Sequence, residues 1–180
     1  LIRRYLEVRL SQTLLKREVD LYRAQHQGPV LSRANQLFPR LTLERYRGLD
    51  VEYDEQDEAV LCAVRNDGKT VRVAGLSDST RDQLYLALRV ASIERFLEQN
   101  APLPLILDDA FVHFDDKRAQ AALEVLGELA GRTQVLLFTH PHRMVELARA
   151  ALGTSGMVLH ELDPARGVIN LRDDGPLFAR

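Results

Sequence analysis

The chain has 180 residues, enough for one domain with its own core, and its 46% hydrophobic and 28% charged residues are the balance of a soluble globular protein rather than a disordered one. A net charge of -2 excludes a global basic field for nucleic acid while leaving room for a local basic patch, and the single cysteine, Cys62, excludes an internal disulfide and fits a reducing, cytoplasmic setting. No apolar run approaches the roughly 18 residues that a membrane span needs, and the N-terminus lacks the basic-then-apolar layout of a signal peptide. It also lacks a Met, and helical periodicity begins at once from Leu1, which suggests a piece of a longer chain.

Residues 1–27 read as one helix without Pro or Gly. Leu1, Tyr5, Val8, Gln12, Leu15, Val19 and Tyr22 follow alternating steps of four and three, a heptad seam with one polar member. About three heptads fit either the root of a coiled coil or an amphipathic helix lying on its own domain. Gly28-Pro29 breaks this helix, Pro29 opens the next, and Val30, Leu31, Ala34, Leu37 and Phe38 give that one an apolar face until Pro39 ends it.

Strands are predicted near 49–54, 58–65 and 69–74, with Asn66-Asp67-Gly68-Lys69 as a hairpin turn between the last two. A long helix from about Thr80 to Gln99 is apolar around most of its circumference and should be deeply buried. Leu103–Leu107 is a short continuous apolar run, the pattern of a strand covered on both faces, and Thr133–Phe138 reads as a second buried strand. Helices are predicted near 117–130 and 141–152, and two last strands near 156–162 and 167–172. The helix-strand-helix-strand-helix order in the middle predicts an α/β fold with a mostly parallel sheet and crossover helices. In such sheets functional groups collect at the C-terminal strand ends, which here are Asp108-Asp109 and Thr139-His140.

Residues 63–70, AVRNDGKT, end like a phosphate-binding loop, G-x-x-x-x-G-K-[ST]. The first glycine is replaced by Ala63, and Val71-Arg72-Val73 continues as a strand rather than as the helix whose N-terminus must face the phosphates. The segment is therefore read as a hairpin turn.

Three elements can carry chemistry. Asp108 at the end of a strand can hold Mg²⁺ through water, and Asp109 beside it can orient or deprotonate an attacking water; the plain alternative is two loop carboxylates capping the next helix. His140 can hydrogen-bond a γ-phosphate, or be a surface residue. The turn Leu76-Ser77-Asp78-Ser79 before the long helix offers a hydroxyl and free backbone N–H groups to an anion, or only an N-cap. Each is weak alone, but together they form one ordered pattern.

That order resembles the ABC ATPases, and among them the SMC-like and YhaN-like coiled-coil ATPases. LSDSTRDQLYLALRVA resembles the ABC signature and its helix, LPLILDD the Walker B strand, FVHFDD the D-loop with Asp115 as its acid, and LLFTH the switch-histidine strand. The resemblance is specific over residues 76–140. It implies the C-terminal lobe of a composite P-loop ATPase head over 28–180, preceded by the end of a coiled-coil arm over 1–27, with a small β-hairpin region. It implies ATP and Mg²⁺ as cofactors, Asp108 at the metal, Asp109 and His140 as catalytic residues, and Ser77, Asp78, Ser79 and Asp115 at the nucleotide. The implied partners are an N-terminal lobe of the same polypeptide, which would carry the phosphate-binding loop, and a second head; DNA and a nuclease subunit follow from a setting in DNA repair or chromosome maintenance. Two departures stand out: Asp78 and Ser79 occupy positions where the signature usually has glycine, and Asp109 stands where the family usually has the longer Glu. The alternatives are a non-catalytic module that dimerises through its coiled coil, and a two-metal nuclease built from Asp108, Asp109, Asp115 and Asp116.

Overall fold

The computed structural model describes residues 9, 28–54, 56, 58–153, 155–163 and 167–171. The heptad seam of 1–27 lies outside the described residues except for Arg9, which is helical and exposed. The described part of the first helix, α1, covers 28–41, so Gly28 is itself helical at the place where a break is predicted. Ala34, Leu37, Phe38 and Leu41 of α1 are fully buried, the i, i+3, i+4, i+7 stripe of a helix laid on a core.

Pro39 does not end α1, which runs two residues further. Proline removes one donor from the last turn without stopping it, and the helix ends where the chain turns left-handed after Thr42. The buried Thr42 hydroxyl donates to the Phe38 carbonyl at 2.8 Å, and the chain then leaves through two left-handed residues, Leu43 and Glu44.

Strands β1 (Tyr46–Tyr53), β2 (Ala59–Arg65) and β3 (Thr70–Arg72) form an antiparallel sheet in chain order. Asn35 of α1 accepts the Leu49 N–H at 2.7 Å, and a Cβ on Gly48 would collide with that Asn35 side chain, so a larger residue there would displace the Asn35 amide from this bond. The predicted third strand stops at Arg72, because 73–75 wind into a short 3₁₀ turn.

Helix α2 (Asp78–Phe96) buries Leu84, Leu86, Ala87, Val90 and Ala91 but leaves Tyr85 and Phe96 exposed. Its composition predicts burial all round, whereas only one face is covered. Each fully buried Leu on that face contributes about 1.5–3 kcal/mol. Two bidentate pairs tie α1 to its neighbours: Arg33 to Glu94 of α2, and Arg40 to Glu128 further along the chain. The hydrogen bonds from Arg40 hold the Glu128 carboxyl below its ordinary range.

Strand β4 (Leu105–Asp108), helix α3 (Asp116–Ala130), strand β5 (Val135–Phe138) and helix α4 (His142–Leu152) follow. Strands β4 and β5 pair in parallel, Leu105 with Val135 through Asp108 with Phe138, and α3 makes the crossover. This pair is the parallel component that the sequence pattern predicts, and the other sheets are antiparallel. Helices α3 and α4 pack closely because Gly127 has no Cβ to meet the Leu152 side chain. A last hairpin joins β6 (Leu159–Asp163) to β7 (Gly167–Leu171).

The expectation that β4 and β5 are covered on both faces is corrected. Leu105 and Leu107 point into the core with Val135 and Leu137 packed against it, whereas Ile106 is 57% exposed and Phe138 46% exposed on the opposite face. An apolar sheet face in water carries a cost that a further layer would remove. Among the described residues no helix is long and apolar enough to cross a membrane.

Candidate functional site

Strands β4 and β5 end side by side, so the residues that follow them meet. The ladder continues one step past β4, where the Asp109 N–H donates to the Phe138 carbonyl at 3.0 Å. Asp109 then turns the chain out of the sheet at φ 44°. Asp is among the few non-glycine residues that tolerate this left-handed region, because its short carboxylate bonds locally. This gives a physical reason for Asp rather than a longer acid at this position. The Asp109 carboxylate Oδ2 lies 2.9 Å from His140 Nδ1, two residues beyond β5, with the His140 side chain 87% exposed. Sequence reading selects both residues, and the parallel pairing puts them in contact. No described side chain hydrogen-bonds the Asp108 carboxylate, which is exposed at the strand end.

The turn after Asp109 is pinned by Phe111 and Phe114, both buried, with ring centroids 5.3 Å apart. Asp115 caps α3: its carboxylate accepts the Arg118 N–H at 3.0 Å and pairs with the Arg118 guanidinium. Asp116 pairs with Arg143 of α4 at 3.0 Å. Among the described residues no three His, Cys, Asp or Glu side chains are grouped to hold a metal ion. The four carboxylates of the two-metal alternative therefore do not converge.

Ser77 caps α2. Its hydroxyl accepts the Thr80 N–H at 3.4 Å and lies 2.8 Å from the Thr80 hydroxyl. Asp78 is occupied by Arg81. Among the described residues the buried Ser79 hydroxyl has no hydrogen-bond partner, nor has either amide atom of Gln83 one turn on. The groups that this turn presents at the open helix end are thus backbone N–H groups, which have no partner within a helix. No hydrogen bond joins Ser77 to the Asp109–His140 pair. Sequence reasoning missed the contact of His113 Nδ1 with Asp82 Oδ2 at 2.7 Å, which leaves no periodic or motif signal, and the role of Arg118 on Asp115, for which their i,i+3 spacing was an available signal.

The decoy segment is a turn. Gly68 is left-handed at φ 82°, the Arg65 N–H donates to the Lys69 carbonyl at 2.9 Å, and the Asp67 carboxylate accepts the Lys69 N–H. Lys69→Ala in a complete two-lobed head is expected to leave ATP affinity unchanged by calorimetry, and a large loss would refute the turn assignment.

These elements assemble the fold of an SMC ATPase head domain, in its C-terminal region. The chain matches a chain from work on ATP-driven dimerisation and DNA-stimulated activation of SMC ATPases with a TM-score of 0.64 at 16% identity, over 83% of this chain and 87% of that one. It matches the SMC head domain from Thermotoga maritima with a TM-score of 0.56 at 19% identity, over 89% of this chain and 52% of that one. In sequence it is similar to the uncharacterised protein YhaN of Bacillus subtilis, 29% identical over 143 residues, which is 78% of this chain and 14% of that protein. The chain thus spans about a seventh of the length of this relative. No family model matches it.

Proposed function

We propose that this chain is the C-terminal half of an ATP-binding and ATP-hydrolysing head in a cytoplasmic, SMC-like protein, with residues 1–27 as the end of its coiled-coil arm. The observation that carries this reading is the pair of parallel strands whose ends bring Asp109 and His140 to 2.9 Å, with Asp108 as the last residue of β4. The SMC head fold supports it, and so does the apolar face of β4–β5 left open at Ile106 and Phe138, where an N-terminal lobe would supply the missing layer.

Bound Mg-ATP would supply the reacting phosphoryl group and its charge neutralisation. Asp108, which no described side chain hydrogen-bonds, suits a magnesium ion that takes one or two carboxylates and completes its shell with water and phosphate. Asp109 would accept a proton from the attacking water, and its contact with Nδ1 would hold the His140 ring beside it, where the imidazole could hydrogen-bond a phosphate oxygen. The backbone at Asp78 and Ser79, with Ser77, would meet the nucleotide of a second head. Closure on ATP and release after hydrolysis would move the arms, in DNA repair or chromosome maintenance, with DNA and a nuclease subunit as partners.

Ser77→Arg tests the trans contact. It is expected to abolish ATP-driven head pairing, followed by light scattering, while single heads keep their ATP affinity. Loss of ATP binding in a monomeric head would contradict this arrangement.

A further inference from the structure

Asp82 and His113 are 31 residues apart and belong to different parts of the site. Asp82 lies on α2 one turn beyond Asp78, and His113 lies in the turn that leads from Asp109 to Asp115. Their side chains meet at 2.7 Å. The turn is not a loose loop: Phe111 and Phe114 hold it from inside, and the Phe114 N–H donates to the Phe111 carbonyl at 3.0 Å. It displays Val112, 71% exposed, and His113 at a fixed place on the surface. Among the described residues, the Asp82–His113 contact is the one hydrogen bond that joins residues 77–83 to residues 108–116.

We infer that the Asp82–His113 pair is a positioning latch that couples the two ATP sites of a head pair. The inference rests on the head reading above. In that reading the Ser77–Ser79 turn touches the nucleotide held by the other head, whereas Asp109 acts on the nucleotide held by its own. The two side chains are themselves solvent-exposed, 58% for His113 and 38% for Asp82, but the segments that carry them are anchored, α2 by its buried face and the turn by Phe111 and Phe114. A displacement of α2 at one site would reach the turn behind Asp109 at the other through this contact. Neither residue touches substrate, and each acts through what it positions.

The latch is tested in the complete head with His113→Ala, Asp82→Ala, the double variant, and His113→Asn, whose amide N–H₂ can still donate to Asp82. Breaking the pair is expected to leave the ATP affinity of single heads unchanged. Turnover of paired heads should fall about 5- to 10-fold, the lower range for an allosteric coupling, with the Hill coefficient for ATP dropping from near the two-site limit of about 2 toward 1. His113→Asn should retain both, and the double variant should be no worse than either single one, as expected of two residues acting as a unit. Cooperativity unchanged in His113→Ala, or additive losses, would overturn the latch. If the wild-type complete head neither binds ATP nor pairs, the head reading fails, and the latch is then judged in the 180-residue chain by amide hydrogen exchange. Faster exchange in both 78–82 and 110–114 on His113→Ala supports a mechanical link, and faster exchange in 110–114 alone refutes it.

Discussion

Asp109→Asn in a complete head is expected to slow ATP hydrolysis by about 100-fold or more, the scale for losing a general base, while ATP binding persists. Asn has the size of Asp and tolerates the left-handed backbone at φ 44°. Its amide oxygen can still accept from His140, so the 2.9 Å contact and the ladder bond to Phe138 have no reason to break. What is removed is the negative charge and the ability to take a proton from water. Single-turnover hydrolysis beside calorimetric ATP titration separates the two properties. Unchanged turnover would remove Asp109 from the mechanism, and lost binding would make it a structural residue.

The 180-residue chain by itself is expected to fold and to show little or no binding of Mg-ATP by calorimetry. Its core is continuous from α1 through α4, with Phe38, Leu41, Leu84, Leu126 and Leu129 buried, which supports folding. Yet its one G-K-T segment is a hairpin turn, so the lysine and the row of backbone N–H groups that cradle β- and γ-phosphates are not supplied. Asp108 cannot compensate, since a magnesium ion on a single carboxylate depends on the phosphates as co-ligands. Adding an N-terminal lobe, in cis or as a separate fragment, should restore binding and then hydrolysis, and should cover Ile106 and Phe138. Robust turnover by these residues alone would overturn the half-head reading and point to a self-contained site.

Much of this was legible in one dimension because it rests on local rules. Alternation and turn chemistry place β2, the Asn66–Lys69 turn and β3, and Ser77 is legible as the N-cap of α2, its hydroxyl accepting the N–H three residues on. The apolar runs before Asp108 and His140 mark two strands, and a single intervening helix predicts that they pair in parallel. The candidate chemistry was legible for the same reason, as charged residues at the ends of those strands. Where local reasoning failed, a neighbour decided. Pro39 sits within α1, whose end is set instead by the left-handed turn at Leu43 and Glu44. The apolar runs of β4 and β5 do not tell whether one face or two is covered, since periodicity records the side chains and not what packs on them.

The sequence by itself determined the order and type of the elements, the turn that mimics a phosphate loop, and the residues Asp108, Asp109 and His140 as a group worth testing, because these depend on backbone preference and on spacing along the chain. Only the tertiary structure decided that Asp109 touches His140, that Asp82 reaches His113, that Asp116 is taken up by Arg143, and that Ile106 and Phe138 face outward. These depend on which surfaces meet. A side-chain contact across 31 residues has no period or motif to betray it until the strands and helices that carry its two ends are packed side by side.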